Sequence, residues 1–184
     1  MSRMINSKIK CSNRLKIGWL NFTILTDVIV NHQNMSHFDN EFQKYLAELV
    51  ETGFEFVSSN SEEVDAVYII GLIESGYFYK VFYEINGYLV KSHKVNEVSD
   101  MQYDISNEKA FGMLNKGNRI LKNIEDLFKN DGREVPVMFK LSYHPKTDKF
   151  NSDFSYPKMF TGHTTKTAQD VYEEWFVQME SLKG

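Results

Sequence analysis

The chain has 184 residues, of which 42% are hydrophobic and 14% aromatic. That is enough for one domain with a sizeable core and excludes a disordered polymer. Its net charge of −4 hides an asymmetry: residues 1–34 carry five Lys/Arg against one Asp, a net +4, while residues 35–184 carry sixteen Lys/Arg against twenty-four Asp/Glu, a net −8. An acidic body is a poor direct ligand for nucleic acid and a natural one for a basic partner. The one cysteine, Cys11, excludes an internal disulfide framework and points to a reducing, cytoplasmic compartment.

Residues 1–34 differ from the rest. Arg3, Lys8, Lys10, Arg14 and Lys16 precede an apolar run from Gly18 to Val30. A secretory signal has this general form, but Asn21, Thr23, Thr26 and Asp27 interrupt the run and no small-residue cleavage site follows. The run is also far short of the roughly 20 apolar residues needed to cross a bilayer. The composition changes near Met35, so residues 1–34 read as a dispensable extension and residues 35–184 as the folded domain. An alternative is that residues 19–30 form an additional element docked on that domain.

A first helix begins at Phe38 or Asp39, capped by Asp39 or Asn40. It places Phe42, Tyr45, Leu46, Leu49 and Val50 on one face and stops at Gly53. Phe54, Phe56 and Val57 lead into a polar loop, Ser58 to Glu63. Three antiparallel strands follow. Asp65 to Ile73 is almost continuously apolar and should be central in its sheet. Gly76 to Ile85 is the second strand, and Asn86-Gly87 is a hairpin turn that requires positive φ at both positions. The third runs from Tyr88 through Val90 and His93 to Val95.

After a polar segment, Asn96 to Asp104, a long helix is expected over about Ser106 to Asn130. Phe111, Leu114, Leu121, Ile124 and Phe128 form its buried stripe, with Ile120 and Leu127 beside it. Gly112 and Gly117 should each weaken its first half by roughly 1 kcal/mol relative to alanine. Val135 to Tyr143 and Phe150 to Tyr156 then alternate as a hairpin around His144-Pro145-Lys146-Thr147-Asp148, with one face apolar and the other wet. A last helix starts near Thr167, with Thr167 and Asp170 as a capping box. Val171, Trp175, Met179 and Leu182 form its stripe, flanked by Tyr172 and Phe176. The expected architecture is α+β: a single domain with an antiparallel sheet of hairpins and helices on one face.

Residue patterns show no catalytic constellation and call for no cofactor. No phosphate-binding glycine loop opens a helix: Gly71, Gly76 and Gly87 are expected at strand turns. His32, His37, His93, His144 and His163 do not fall at zinc-ligand spacings, and Cys11 has no cysteine partner. No G-x-S-x-G elbow is present. Glu62, Glu63 and Asp65 read as a solvated loop rather than a catalytic cluster. The aromatics of the second strand, Tyr77, Phe78, Tyr79, Phe82 and Tyr83, are accompanied only by Lys80, Lys91 and Lys94 nearby. They read as packing on both sheet faces, not as a nucleic-acid platform.

The run LFKNDGREVPVMFKLSYHPKTDKFNSDFSY (127–156), preceded by FYEINGYLVKSHKVN (82–96) and followed by DVYEEWF (170–176), resembles the YezG-like immunity proteins of Gram-positive bacteria, a family catalogued as a domain of unknown function. The likeness spans roughly Phe38 to Met179, is most specific at Asp131 to Pro136, and leaves out residues 1–34. It implies a non-enzymatic antitoxin that binds and silences the toxic C-terminal domain, typically a nuclease, of a secreted polymorphic toxin. On charge grounds the expected contacts are Glu97, Asp100 and Asp104 in the polar segment, with Glu173 and Glu174 on the last helix. The alternative is a small-ligand-binding or enzymatic α+β domain whose site is assembled from scattered residues.

Overall fold

A computed structural model describes residues 36–162 and 165–183. Helix α1 spans His37–Phe56, strand β1 Val64–Ile73, β2 Tyr77–Ile85 and β3 Tyr88–Lys91. A 3₁₀ helix, Ser92–Glu97, leads toward helix α2, Asn107–Asn130. Strands β4 (Met138–His144) and β5 (Lys149–Ser155) and helix α3 (Ala168–Ser181) complete the order. Residues 1–34, with Cys11 and the apolar run, lie outside the described residues, as does His163.

The strands form one antiparallel sheet ordered β3-β2-β1-β4-β5. β1, the most apolar strand, is central, and α2 carries the chain from the β3 edge to the far side of β1. The β2–β3 turn holds Asn86 at φ 50° and Gly87 at φ 82°, the left-handed conformation its sequence requires. In the second hairpin Phe139 faces Phe154, Leu141 faces Ser152 and Tyr143 faces Phe150, the pairing its alternation implies.

One sheet face packs on α1 and α2, burying Val67, Ile69, Tyr79, Val81, Tyr83, Phe139 and Leu141 with Leu49, Phe54, Leu121 and Ile124. Two wholly buried tyrosines fix α1 to β2. The Tyr79 hydroxyl donates to the Leu49 carbonyl at 2.8 Å and the Tyr83 hydroxyl to the Gly53 carbonyl at 2.7 Å. The bonds are needed because an unpaired buried hydroxyl would cost about 1–3 kcal/mol.

The other face is wet only at the β5 edge, where Lys149, Asn151 and Asp153 stay exposed; over the central strands it is not. Ala66, Tyr68, Ile70, Leu72, Phe82 and Met138 are buried there beneath Val171, Tyr172, Trp175 and Phe176 of α3. Helices therefore cover both faces of the central strands, and the expectation of helices on one face only is corrected. The sheet is the middle of three layers.

Local corrections have local causes. The cap of α1 is Ser36, not Asp39 or Asn40. Ser36 accepts from the Asp39 N–H while the Asp39 carboxylate accepts from Ser36, a capping box one turn earlier. The helix passes through Gly53 to Phe56, because Phe54 and Phe56 gain burial by staying helical. The third strand stops at Lys91, and His93 and Val95 lie in the 3₁₀ helix. Gly71 lies inside β1, where an added Cβ would come 2.6 Å from Leu121. In α2, Phe111 is 63% exposed and Met113 and Gly117 take the buried positions. Leu182 falls beyond α3 and is exposed.

The connection into α3 is anchored by Glu74, in the β1–β2 turn. Its carboxylate accepts the N–H groups of Met159, Phe160 and Thr161. Burial pushes this carboxyl up, but hydrogen bonds from Thr161, Met159 and Phe160 outweigh it, and the net shift is below the ordinary 4.5. A depressed carboxylate stabilises the fold above its unfolded value and loses that contribution as pH falls through the folded one. Glu74→Gln should therefore lower the melting temperature at neutral pH, and the gap to wild type should narrow as pH falls below the ordinary 4.5 and close once the carboxyl is protonated in the folded state. A gap that persists in acid would rule out this charge-dependent anchor.

Candidate functional site

Three of the five acidic positions singled out by charge lie on the connection between β3 and α2. The sequence there is polar and carries no helical or strand period, yet it is held by side chains from elsewhere in the fold. The Asn96 carboxamide spans the loop in both directions, accepting the Tyr103 N–H at 2.8 Å and donating to the Tyr103 carbonyl at 3.0 Å. Asn86, in the hairpin turn, donates to the Val98 carbonyl at 3.1 Å. The Glu63 carboxylate accepts both the Ser99 hydroxyl and the Tyr103 hydroxyl, the latter at 3.1 Å. Asn60 donates to the same Tyr103 oxygen at 3.0 Å. Burial pushes the Tyr103 phenol up, so it stays a neutral donor to Glu63. Glu63 is thus a structural acceptor rather than a merely solvated carboxylate. Asp65 is likewise engaged, by the Gly87 N–H at 2.7 Å and by Lys146 at 2.6 Å.

This lattice sets out the acids. Glu97 closes the 3₁₀ helix within 3.5 Å of Lys94. Asp100 is exposed and has no side-chain partner among the described residues. Asp104 accepts the Ser106 N–H at 2.9 Å, and hydrogen bonding from Ser106 lowers its carboxyl. Ser106 in turn caps α2 through the Lys109 N–H.

Glu173 and Glu174 lie on α3, across the sheet. Glu173 accepts from Lys91, the last residue of β3, and from Gln169 at 2.7 Å. The Lys91 bond leads the lowering of its carboxyl. Glu173 is therefore tied to the same sheet edge from which the acidic connection departs. Glu174 pairs with Lys166 at 2.8 Å. The structure gathers Glu97, Asp100 and Asp104 on one connection, places Glu173 at its edge, and engages Glu174 in a separate pair.

Asp104 also lines a groove of about 580 Å³ between the C-terminal half of α1 and the N-terminal half of α2. Thr52, Phe56, Gly112 and Met113 contribute apolar surface, and Glu55, Glu108, Lys109 and Lys116 line it as well. Sequence reasoning passed over Glu48, Glu51, Glu55 and Glu108. The three- and four-residue spacing of the first three was the available signal, since it places them on one side of a helix. The Asn60–Glu63–Ser99–Tyr103 lattice joins residues about forty apart and left no periodic trace.

Among the described residues no group of three or more His, Cys, Asp or Glu is placed to hold a metal ion, and no helix is long and apolar enough to cross a membrane. His144 is half-buried against the edge of Tyr68, and burial pushes its imidazole down. No family model matches the chain, and the search of curated proteins found no match to it.

Proposed function

We propose that this protein is an immunity protein that binds the C-terminal nuclease domain of a cognate secreted toxin and neutralises it. The reading begins from the family resemblance of residues 38–179. The observation that carries it further is the β3–α2 connection, where Glu97, Asp100 and Asp104 are presented on a loop fixed by Asn60, Glu63, Asn86 and Asn96. A nuclease binds a polyanion, so its cleft is basic. A pre-ordered acidic loop meets such a cleft with little ordering cost and with charge that speeds encounter. Glu173, at the neighbouring sheet edge, extends the same field.

Co-expression with the C-terminal nuclease domain of a cognate polymorphic toxin should restore growth to cells that the toxin domain alone kills. Absence of protection would overturn the assignment. Reversing Asp100 and Asp104 to lysine should slow association with that domain by about tenfold or more at low salt and flatten its salt dependence, with the circular dichroism spectrum unchanged. Association insensitive to both salt and charge reversal would remove this loop from the capture surface.

A further inference from the structure

The α1–α2 groove carries chemistry the loop does not. On α1, Glu48, Glu51 and Glu55 fall three and four residues apart and so share one side of the helix. Burial, Glu55 and Glu48 push the Glu51 carboxyl up while Lys116 of α2 opposes them, so this row of carboxylates senses the facing helix. From the other wall come Asp104 and Glu108, beside Lys109. Lys116 is already engaged by Glu55 at 2.7 Å. Glu108 has no side-chain partner among the described residues. The groove therefore keeps an excess of negative charge over an apolar floor of Phe56 and Met113.

We propose that this groove is a docking site for a lysine- or arginine-bearing segment of the partner protein. The aliphatic stem of one basic side chain lies along Phe56 and Met113, and its cation meets Glu55, Asp104 and Glu108. The proposal rests on the immunity reading for the partner's identity. A cationic side chain with a long apolar stem suits a site that is apolar below and anionic above. An anion is disfavoured, because Asp104 and Ser106 take the N–H groups of Ser106 and Lys109, and Glu55, Asp104 and Glu108 repel it. Asp104 belongs to both the groove and the acidic loop, so the two form one continuous surface.

The test measures binding of the catalytically inactivated toxin domain by calorimetry. Glu55→Gln with Glu108→Gln should weaken binding at least tenfold. Asp153→Asn with Glu180→Gln removes the same charge from β5 and α3 and should change it by less than about threefold. Melting curves confirm that both double variants are folded. If wild type binds and the groove pair leaves affinity unchanged, the groove is not the site and the immunity assignment survives. If both pairs weaken binding equally, the attraction is diffuse and the groove proposal falls. If wild type neither binds nor protects, the immunity reading fails and takes the groove's partner with it.

Discussion

Replacing Trp175 with alanine should cost about 3–5 kcal/mol of stability, the range for deleting a large buried aromatic. Trp175 is only 7% exposed. Its ring meets Phe82 edge-on at 4.8 Å and Tyr68 at 6.0 Å, and the Lys140 ammonium sits over it at 5.3 Å from the centroid. Each contact joins α3 to a different strand: Tyr68 to β1, Phe82 to β2 and Lys140 to β4. Losing one side chain thus loosens the whole outer layer. The core on the other sheet face shares none of these residues and should persist. Urea unfolding should show the lost stability, and hydrogen exchange should rise first in residues 168–181. A loss below about 1 kcal/mol, or exchange rising equally in α1, would show that α3 is not held through this cluster.

The outer layer also shows where the sequence misleads. Of Lys80, Lys91 and Lys140, the last alternates with apolar residues and looks like the wet side of the second hairpin, while the aromatics beside the other two read as packing on both sheet faces. In the fold all three lysines approach aromatic rings of α3: Lys80 over Tyr172 at 5.9 Å, Lys91 over Phe176 at 5.1 Å and Lys140 over Trp175. A lysine stem can lie along apolar surface while its charge faces a ring or water, so a polar letter does not mark an open face. The counter-signal was present in Ala66, Tyr68, Ile70 and Leu72, which make β1 apolar on both sides. Local features were legible because they depend on near neighbours: the Asn86-Gly87 turn, the Thr167–Asp170 cap and the register of β4 with β5. At the candidate site the acidic letters were legible, but not what holds them. Tyr103 meets Asn60 and Glu63 only after β1, β2 and β3 have brought those segments together.

Gly117→Ala should destabilise the protein by about 1–3 kcal/mol, although alanine is the better helix former. A Cβ at this position would lie 2.2 Å from Cγ of the Tyr79 ring. Tyr79 cannot slide away: it is wholly buried, and its hydroxyl is fixed to the Leu49 carbonyl on α1 at 2.8 Å. Inserting a methyl therefore drives α2 off β2 or breaks the bond between β2 and α1, and either outweighs the roughly 1 kcal/mol gained from helix propensity. Gly112, five residues earlier, has nothing within 4 Å of the same added atom. Gly112→Ala should accordingly stabilise by up to about 1 kcal/mol. The same change in the same helix thus has opposite signs, decided by one tyrosine ring. Urea midpoints of the two variants check it directly. A Gly117→Ala variant as stable as Gly112→Ala would mean that Tyr79 does not occupy the space above Gly117, and the close packing of α2 on β2 would have to be abandoned.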